Sequence, residues 1–315
     1  MLYESPRMPT IKRSIATIAF VAGFSLAGWV VVQAQSASPS PTPAATPPAS
    51  DIFIIDVTSH NGKTKLGQPI KITSWVGYNN QPSFMPDGQS ILYTSIRDKQ
   101  ADIYRYDLRG GATTQITKTP ESEYSPTLMP DRQSISVVRV EADGTQRLWK
   151  FPLTGGPPSL ILEKTKPVGY HLWIDDHTLA LFILGKPNTL QIVDTRTEKA
   201  EIIAENPGRI LRRIPHQNKF SFVHKISDKE WAIKAFDLRT RTSASLIDTL
   251  PGVEDYAWLP SGLLLMAKDS KLFSVIPLTG KAWSEVADFS NAGLKNITRI
   301  AVSPKGDKIA VVARH

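Results

Sequence analysis

The chain has 315 residues, of which 41% are hydrophobic and 21% charged, a composition that excludes a disordered polar tail and suits a domain with a sizeable core. It has no cysteine, which excludes disulfides, a thiol nucleophile and a lipid-modified cysteine. The 37 Lys and Arg against 29 Asp and Glu leave a net charge of +8, yet no basic and aromatic interleaving of the kind that stacks bases accompanies it, so nucleic acid is not an expected partner.

At the front, Arg7, Lys12 and Arg13 precede an apolar stretch from Ile15 to Val32, and Val32-Gln33-Ala34 has the small-residue spacing of a signal-peptidase site. Residues 1–34 therefore read as a signal peptide, or as an uncleaved anchor that tethers the chain through residues 15–32. This addresses the chain to the periplasm or the exterior. Residues 35–50, rich in Pro, Ser, Thr and Ala, read as an extended spacer. With residues 1–34 set aside, the charge of the exported portion is +6.

From residue 51 onward the chain repeats itself. A short turn recurs at Met85-Pro86-Asp87-Gly88, Met129-Pro130-Asp131-Arg132, Ile174-Asp175-Asp176-His177, Ile214-Pro215-His216-Gln217, Leu259-Pro260-Ser261-Gly262 and Ser303-Pro304-Lys305-Gly306. Measured from Pro86, Pro130, Asp175, Pro215, Pro260 and Pro304, the steps are 44, 45, 40, 45 and 44 residues, the length of one four-stranded propeller blade. The turn chemistry is local: Pro fixes φ, Asp accepts from its own backbone, and Gly takes a left-handed conformation. An apolar residue two places before the marker (Phe84, Leu128, Trp173, Trp258, Val302) and another five after it (Ile91, Ile135, Ala180, Phe220, Leu265, Ile309) place a strand on each side. A third strand follows, as in Asp102–Leu108, with the alternation of a half-covered sheet, and then a short fourth, as in Thr114–Thr117.

The sixth unit runs out after its second strand, Lys308–Arg314. Its missing half is expected at the other end, where Asp51–Val57 matches Asp102–Leu108 and Pro69–Thr73 matches Thr113–Thr117. The fold class expected is all-β: a six-bladed β-propeller of four-stranded antiparallel blades spanning 51–315, closed by N-terminal strands, and monomeric.

Ionisable groups give little sign of chemistry. The six histidines fall at no common position of the repeat, so no metal and no cofactor are expected. Asp175-Asp176 lies in a turn and is explained by turn chemistry. Asn296-Ile297-Thr298 has the form of a glycosylation acceptor. Positive charge is densest at Arg209, Arg212 and Arg213 and at Arg239 and Arg241, expected on neighbouring strands of one blade. Architecture supplies a better site. Residues five or six places before each marker should gather at one mouth of the central channel, in the loops that precede the inner strands: Asn80 and Gln81, Tyr124 and Ser125, Gly169 and Tyr170, Arg209 and Ile210, Glu254 and Asp255, Thr298 and Arg299. With Arg212, the polar and aromatic members form the expected partner-binding set, and its mixture of both charges with tyrosines suits a peptide or protein.

The Pro-Asp-Gly turn, followed by Ile-Leu-Tyr-Thr-Ser and Asp-Ile-Tyr-Arg-Tyr-Asp-Leu-Arg-Gly-Gly, resembles the β-propeller repeat of the TolB family of the bacterial envelope. The resemblance is strong over residues 76–120, fair around Pro130, Pro260 and Pro304, and weak in the third and fourth units. The family's N-terminal α/β domain is not expected here, since a Pro-rich spacer precedes the first strand. The resemblance implies a protein-binding surface at the channel mouth and no chemistry, and an envelope protein or peptide as partner. The alternative carried beside it is a metal-dependent, lactonase- or lyase-like propeller, for which Glu254, Asp255 and Asn80 supply only part of a ligand set.

Overall fold

The computed structural model describes residues 47–60, 63–277, 279–280 and 282–314, so the signal or anchor segment and most of the spacer lie outside the described residues. The described part begins with β1 (Ser50–His60), β2 (Lys63–Leu66) and β3 (Ile70–Lys71). Blade 1 is β4 (Asn79–Phe84), β5 (Ser90–Arg97), β6 (Gln100–Asp107) and β7 (Thr113–Gln115). Blade 2 is β8 (Ser122–Leu128), β9 (Ser134–Val140), β10 (Gln146–Pro152) and β11 (Ser159–Leu160). Blade 3 is β12 (Val168–Trp173), β13 (Thr178–Ile183), β14 (Thr189–Asp194) and β15 (Ala200–Glu205). Blade 4 is β16 (Pro207–Arg213), β17 (Lys219–Lys225), β18 (Trp231–Asp237) and β19 (Thr242–Asp248). Blade 5 is β20 (Tyr256–Trp258), β21 (Leu264–Lys268), β22 (Lys271–Val275) and β23 (Ser284–Asp288). Blade 6 takes β24 (Lys295–Val302) and β25 (Lys308–Arg314) from the C-terminal end and β1 to β3 from the N-terminal end, in the order β2-β1-β25-β24 with β3 also on β1.

All pairings within the blades are antiparallel, and the first strands of most neighbouring blades lie against one another, with β12 of blade 3 meeting β9 and β10 of blade 2 instead. The expected closure is present. β1 pairs with β25 from Ser50↔Arg314 to Asp56↔Lys308, so the ladder starts one residue earlier than expected and takes Ser50 from the spacer. Beyond it, β1 runs on into a hairpin with β2 that the repeat does not contain.

The second strand of each blade is buried on both faces, and its period-two alternation shares it between two interfaces. Ile91 and Tyr93 pack toward blade 6 while Leu92 packs toward blade 2; Ile309, Val311 and Ala313 pack toward blade 5 while Ala310 and Val312 pack toward blade 1. Six apolar clusters result, one between each pair of neighbouring blades. The third strand of blade 1 is covered more fully than the expected half-covered pattern, with Ala101 through Tyr104 all buried, whereas β10 keeps only Leu148 and Phe151 buried. Solvent meets the fourth strands, such as β19 and β23.

The repeated turns form a ring of their own. Asp87, Asp131 and Asp175 each accept from the backbone N–H two residues on, and Gly88, Gly262 and Gly306 occupy φ of 67°, 86° and 73°. At Gly306 the requirement is also steric, since a Cβ there would sit 2.7 Å from Pro260 Cδ of the neighbouring turn. His216 Nε2 lies 3.1 Å from the Pro260 carbonyl, so the turns of blades 4, 5 and 6 touch in sequence. Asp175 is thus a turn residue, as expected.

Between blades 1 and 2 a buried carboxylate cluster departs from this apolar rule. Glu123 is fully buried; it accepts from Thr119 Oγ1 and lies 3.4 Å from Arg139 Nε, while its Oε2 has no hydrogen-bond partner. Burial pushes its carboxyl up to about 7, against the pull of Thr119, Thr117 and Arg139 and with the push of Asp102. We read burial as the stronger influence, since the carboxylate spends only one oxygen on partners. A carboxyl raised in the fold contributes stability that is present below its unfolded value and is lost as pH rises through the folded one. The melting temperature of the wild-type chain should therefore fall by about 3–6 °C relative to that of Glu123→Gln between pH 5 and pH 8. Parallel pH profiles for the two proteins would contradict this. The closure carries a second prediction: deletion of residues 51–73 should leave an insoluble or non-cooperative product, whereas a soluble chain with one sharp melt would refute the role of β1.

Candidate functional site

The inner strand is the edge strand of its blade, and its outer backbone edge faces the central channel. That explains Pro82 and Pro126, which occupy the same place in β4 and β8: a residue without N–H is tolerated where no ladder bond is required. It also explains the register irregularities in β4, β8, β12, β16 and β24. Gln81 and Ser125, one repeat apart, both take positive φ, at 58° and 55°. The bulged residues turn side chains toward the channel and toward the next blade.

Side chains that reach a neighbouring blade tie the inner strands together. Gln81 Oε1 accepts from Thr94 Oγ1 and from the Ser125 N–H, both at 2.8 Å. Asp255 Oδ1 accepts from the Ile300 N–H at 2.8 Å, and Glu254 Oε2 from the Arg209 N–H at 3.3 Å. A second device occurs twice. Ser136 Oγ bonds His171 Nε2 at 2.7 Å and accepts from Trp173 Nε1 at 2.9 Å; Ser221 Oγ accepts from Tyr256 Oη and Trp258 Nε1, both at 2.9 Å. In each case a serine on the second strand of one blade pins two aromatic rings of the next.

The expected site residues lie within the inner strands themselves, not in the loops before them, except Glu254 and Asp255, which immediately precede β20. Gln81, Ser125, Tyr170, Arg209, Arg212 and Arg299 line one central cavity of about 90 Å³ between five inner strands. Asn80, Tyr170, Arg209 and Arg299 line a funnel of about 210 Å³ that shares residues with it. Glu254 and Asp255 join Arg209 and Arg299 on a cleft of about 450 Å³ toward blades 5 and 6. Tyr124 borders none of these spaces. Arg212 is on the channel wall, but Arg239 and Arg241 lie at the β18–β19 turn, two strands away from β16, so the two basic groups expected on neighbouring strands are separate.

The ionic arrangement centres on two acids. Asp255 is buried, which pushes its carboxyl up against the pull of Arg299, Arg212 and Arg209. Its Oδ2 lies 3.6 Å from Arg299 Nη1, and Arg299 donates to Tyr170 Oη at 3.0 Å. Glu254 is also partly desolvated, but Arg209 at 3.4 Å and Lys225 Nζ at 3.0 Å outweigh that and hold it below the usual carboxylate range. Gly208 makes room for this acid: a Cβ there would lie 3.0 Å from Glu254 Oε2 and 2.8 Å from Val223 Cβ. Burial pushes the Tyr78 hydroxyl up to about 12, so it stays a neutral donor at the mouth.

Sequence reasoning missed Tyr78, His171, Lys225, Trp231 and Arg314. Tyr78 and Arg314 border the funnel, and His171 the central cavity. Lys225 and Trp231 border a groove of about 540 Å³ that runs from Arg209 and Glu254 out to the β17–β18 hairpin, with the Lys225 ammonium 4.3 Å from the centre of the Trp231 ring. The one available signal was the three-residue spacing from Tyr78 to Gln81. Among the described residues, no three or more His, Asp or Glu side chains converge as a metal site would require.

Residues 44–166 match the family described as the TolB beta propeller domain. A protein of Agrobacterium fabrum, Atu1656, is 28% identical over 93 residues, 30% of this chain and 29% of that relative, so the match spans less than a third of the relative's length. A solved structure described as putative TolB from Agrobacterium tumefaciens superposes with a TM-score of 0.64 at 16% identity, covering 85% of this chain and 99% of that one. TolB from Acinetobacter baumannii superposes with a TM-score of 0.54 at 14% identity, covering 85% of this chain and 64% of that one. Such distant likenesses speak to the fold, and they agree with the repeat read from the turns. The chain is a six-bladed β-propeller, similar over residues 44–166 to the TolB beta propeller domain, with four strands to each repeated blade and its own N-terminal strand closing the ring.

Proposed function

We propose that this propeller is a non-enzymatic interaction module of the cell envelope, monomeric, which docks an envelope protein or peptide segment at the channel mouth on the side of Arg209. One observation carries the reading: three separate spaces of about 450, 540 and 210 Å³ all include Arg209 on their walls, so funnel, cleft and groove meet at one point. Such a branched, partly apolar surface, with Trp231 and Ile226 along one arm and charged groups at the junction, suits an extended chain better than a compact metabolite. Export of the chain, read from residues 1–34, supports a periplasmic or secreted setting, with tethering through residues 15–32 if the signal is retained.

The test is crosslinking capture from the native envelope with the wild-type chain and with the Arg209→Glu/Trp231→Ala double variant, both checked for an unchanged melt. Arg299 is avoided because it faces the buried Asp255, so its loss would leave that acid without its ion-pair partner. The double variant should recover at least about tenfold less of the specific partners, since an aromatic and an arginine at the centre of an interface commonly carry most of its energy. Gly208→Ala, which displaces Glu254, should weaken capture in the same direction. Recovery of the same partners at the same level by all three proteins would place the docking surface elsewhere.

A further inference from the structure

The walls of the central cavity hold cations and no acid. Of the five inner strands around it, β16 contributes Arg209 and Arg212 and β24 contributes Arg299, and the funnel above adds Arg314; neither space has a carboxylate on its lining. Asp255 and Glu254 lie behind this wall, and their charge is already divided. Asp255 faces Arg299, and Glu254 is shared between Arg209 and Lys225. Arg212 forms no ion pair among the described residues, and its two bonds go to the backbone carbonyls of Leu211 at 3.5 Å and Ile300 at 3.3 Å. Arg314 likewise forms no ion pair among the described residues. Like charges gathered on the walls of one narrow space favour an anion between them.

A second, independent observation points the same way. Ser125 Oγ and His171 Nδ1 are buried, belong to residues on this cavity, and have no hydrogen-bond partner within the protein, whereas Arg209 Nε faces Glu254 Oε1 at 3.4 Å. Gln81 spends its carbonyl oxygen on Thr94 and Ser125, which leaves its amide nitrogen to donate. For His171 the tautomer follows from its neighbours. Ser136 Oγ accepts from Trp173 at 2.9 Å and lies 2.7 Å from His171 Nε2, closer than the 3.3 Å to the Thr127 carbonyl, so we assign its hydroxyl proton to Nε2 and the ring proton to Nδ1. Guanidinium, hydroxyl, amide and imidazole N–H groups therefore converge as donors, the set that recognises an oxyanion.

We propose that the central cavity is a carboxylate site, into which a partner docked at the mouth inserts one carboxylate, terminal or from an Asp or Glu side chain, between Arg212, Arg209 and Ser125. A space of about 90 Å³ holds one small group and not a length of chain, so the docked segment ends or points there while its remainder follows the groove past Trp231. The site rests on the docking mode proposed above and adds to it a chemical selection: an acid at one fixed place.

The probe is a random hexapeptide array bound by the labelled full chain, with three arms: free C-terminal acid without Asp or Glu, C-terminal amide with one Glu, and C-terminal amide without any acid. At least one acid-bearing arm should bind about tenfold tighter than the acid-free arm, and the arm that does so identifies the source of the carboxylate. Arg212→Gln should abolish the difference and Ser125→Ala should reduce it; should the arginine variant fail to fold, the serine variant decides. Equal binding of all three arms overturns the carboxylate site and leaves docking at the mouth standing. If no arm binds, the docking reading loses support, and succinate decides the site separately. A melting temperature raised by millimolar succinate in the wild type and not in Ser125→Ala sustains it, and no difference between the two proteins overturns it.

Discussion

The ladder between β1 and β25 is the constraint from which the rest of the wheel follows. It joins residues near the two ends of the described chain, Ser50 to Arg314 and onward to Asp56 with Lys308, where the Lys308 ammonium also meets the Asp56 carboxylate at 2.6 Å. Closing so long a loop costs chain entropy, although the cost grows only with the logarithm of its length, so a ladder of this size with a packed face can offset it. What the ladder secures is larger than itself. Blade 6 exists only when it forms, and with blade 6 come two of the six inter-blade clusters, those around Ile309 and around Ile52. Asn79, itself fully buried, extends the join into blade 1: it donates to the Ser50 and Trp75 carbonyls and accepts from Ser95 Oγ at 2.8 Å. The cationic cavity depends on the same closure, since Arg299 and Arg314 stand on β24 and β25 while Gln81 stands on β4.

Around the ring, apolar packing gives the blades cohesion but little angular definition, because a cluster of Ile, Leu and Val tolerates small rotations. Polar stitches between inner strands supply that definition. The paired serine device, Ser136 holding His171 and Trp173 and Ser221 holding Tyr256 and Trp258, fixes aromatic rings by directional bonds in a dry interface. Gln81 to Ser125 and Asp255 to Ile300 satisfy backbone N–H groups on the channel edge of a neighbouring blade.

The wheel was legible in the sequence because its signal is redundant. Six turns, each with its own Pro, Asp or Gly logic, report the same spacing, and the unmatched halves at the two ends name each other. The site was legible only in part. Counting back from the turns found Gln81, Tyr170, Arg209, Asp255 and Arg299, since each inner strand runs a fixed distance from turn to channel. The same count misplaced them in loops, because bulges such as that at Gln81 let a strand present residues as a loop does. It brought in Tyr124, whose alternation turns it away from the cavities. Trp231 was hidden for another reason: it opens a third strand and reads as sheet packing, and its position over the groove comes from the β17–β18 hairpin, which the repeat does not constrain.

That freedom explains how a repetitive fold carries an asymmetric site. An inner strand needs its ladder on one edge only, so a channel-facing side chain can change without cost to the blade that bears it. Blades 1 and 2 place neutral donors there, Gln81 and Ser125, while blades 4 and 6 place arginines. Gathering guanidiniums at one throat would be unfavourable if nothing balanced them, and the fold supplies two acids set back from the wall instead of on it. Were Asp255 on the lining, it would compete for the space as an anion already present; behind Arg299 it lowers the field enough for the arginines to coexist and leaves their outer N–H groups to a ligand. Acid behind and arginine in front is therefore an arrangement that stabilises the throat while leaving donors on its wall.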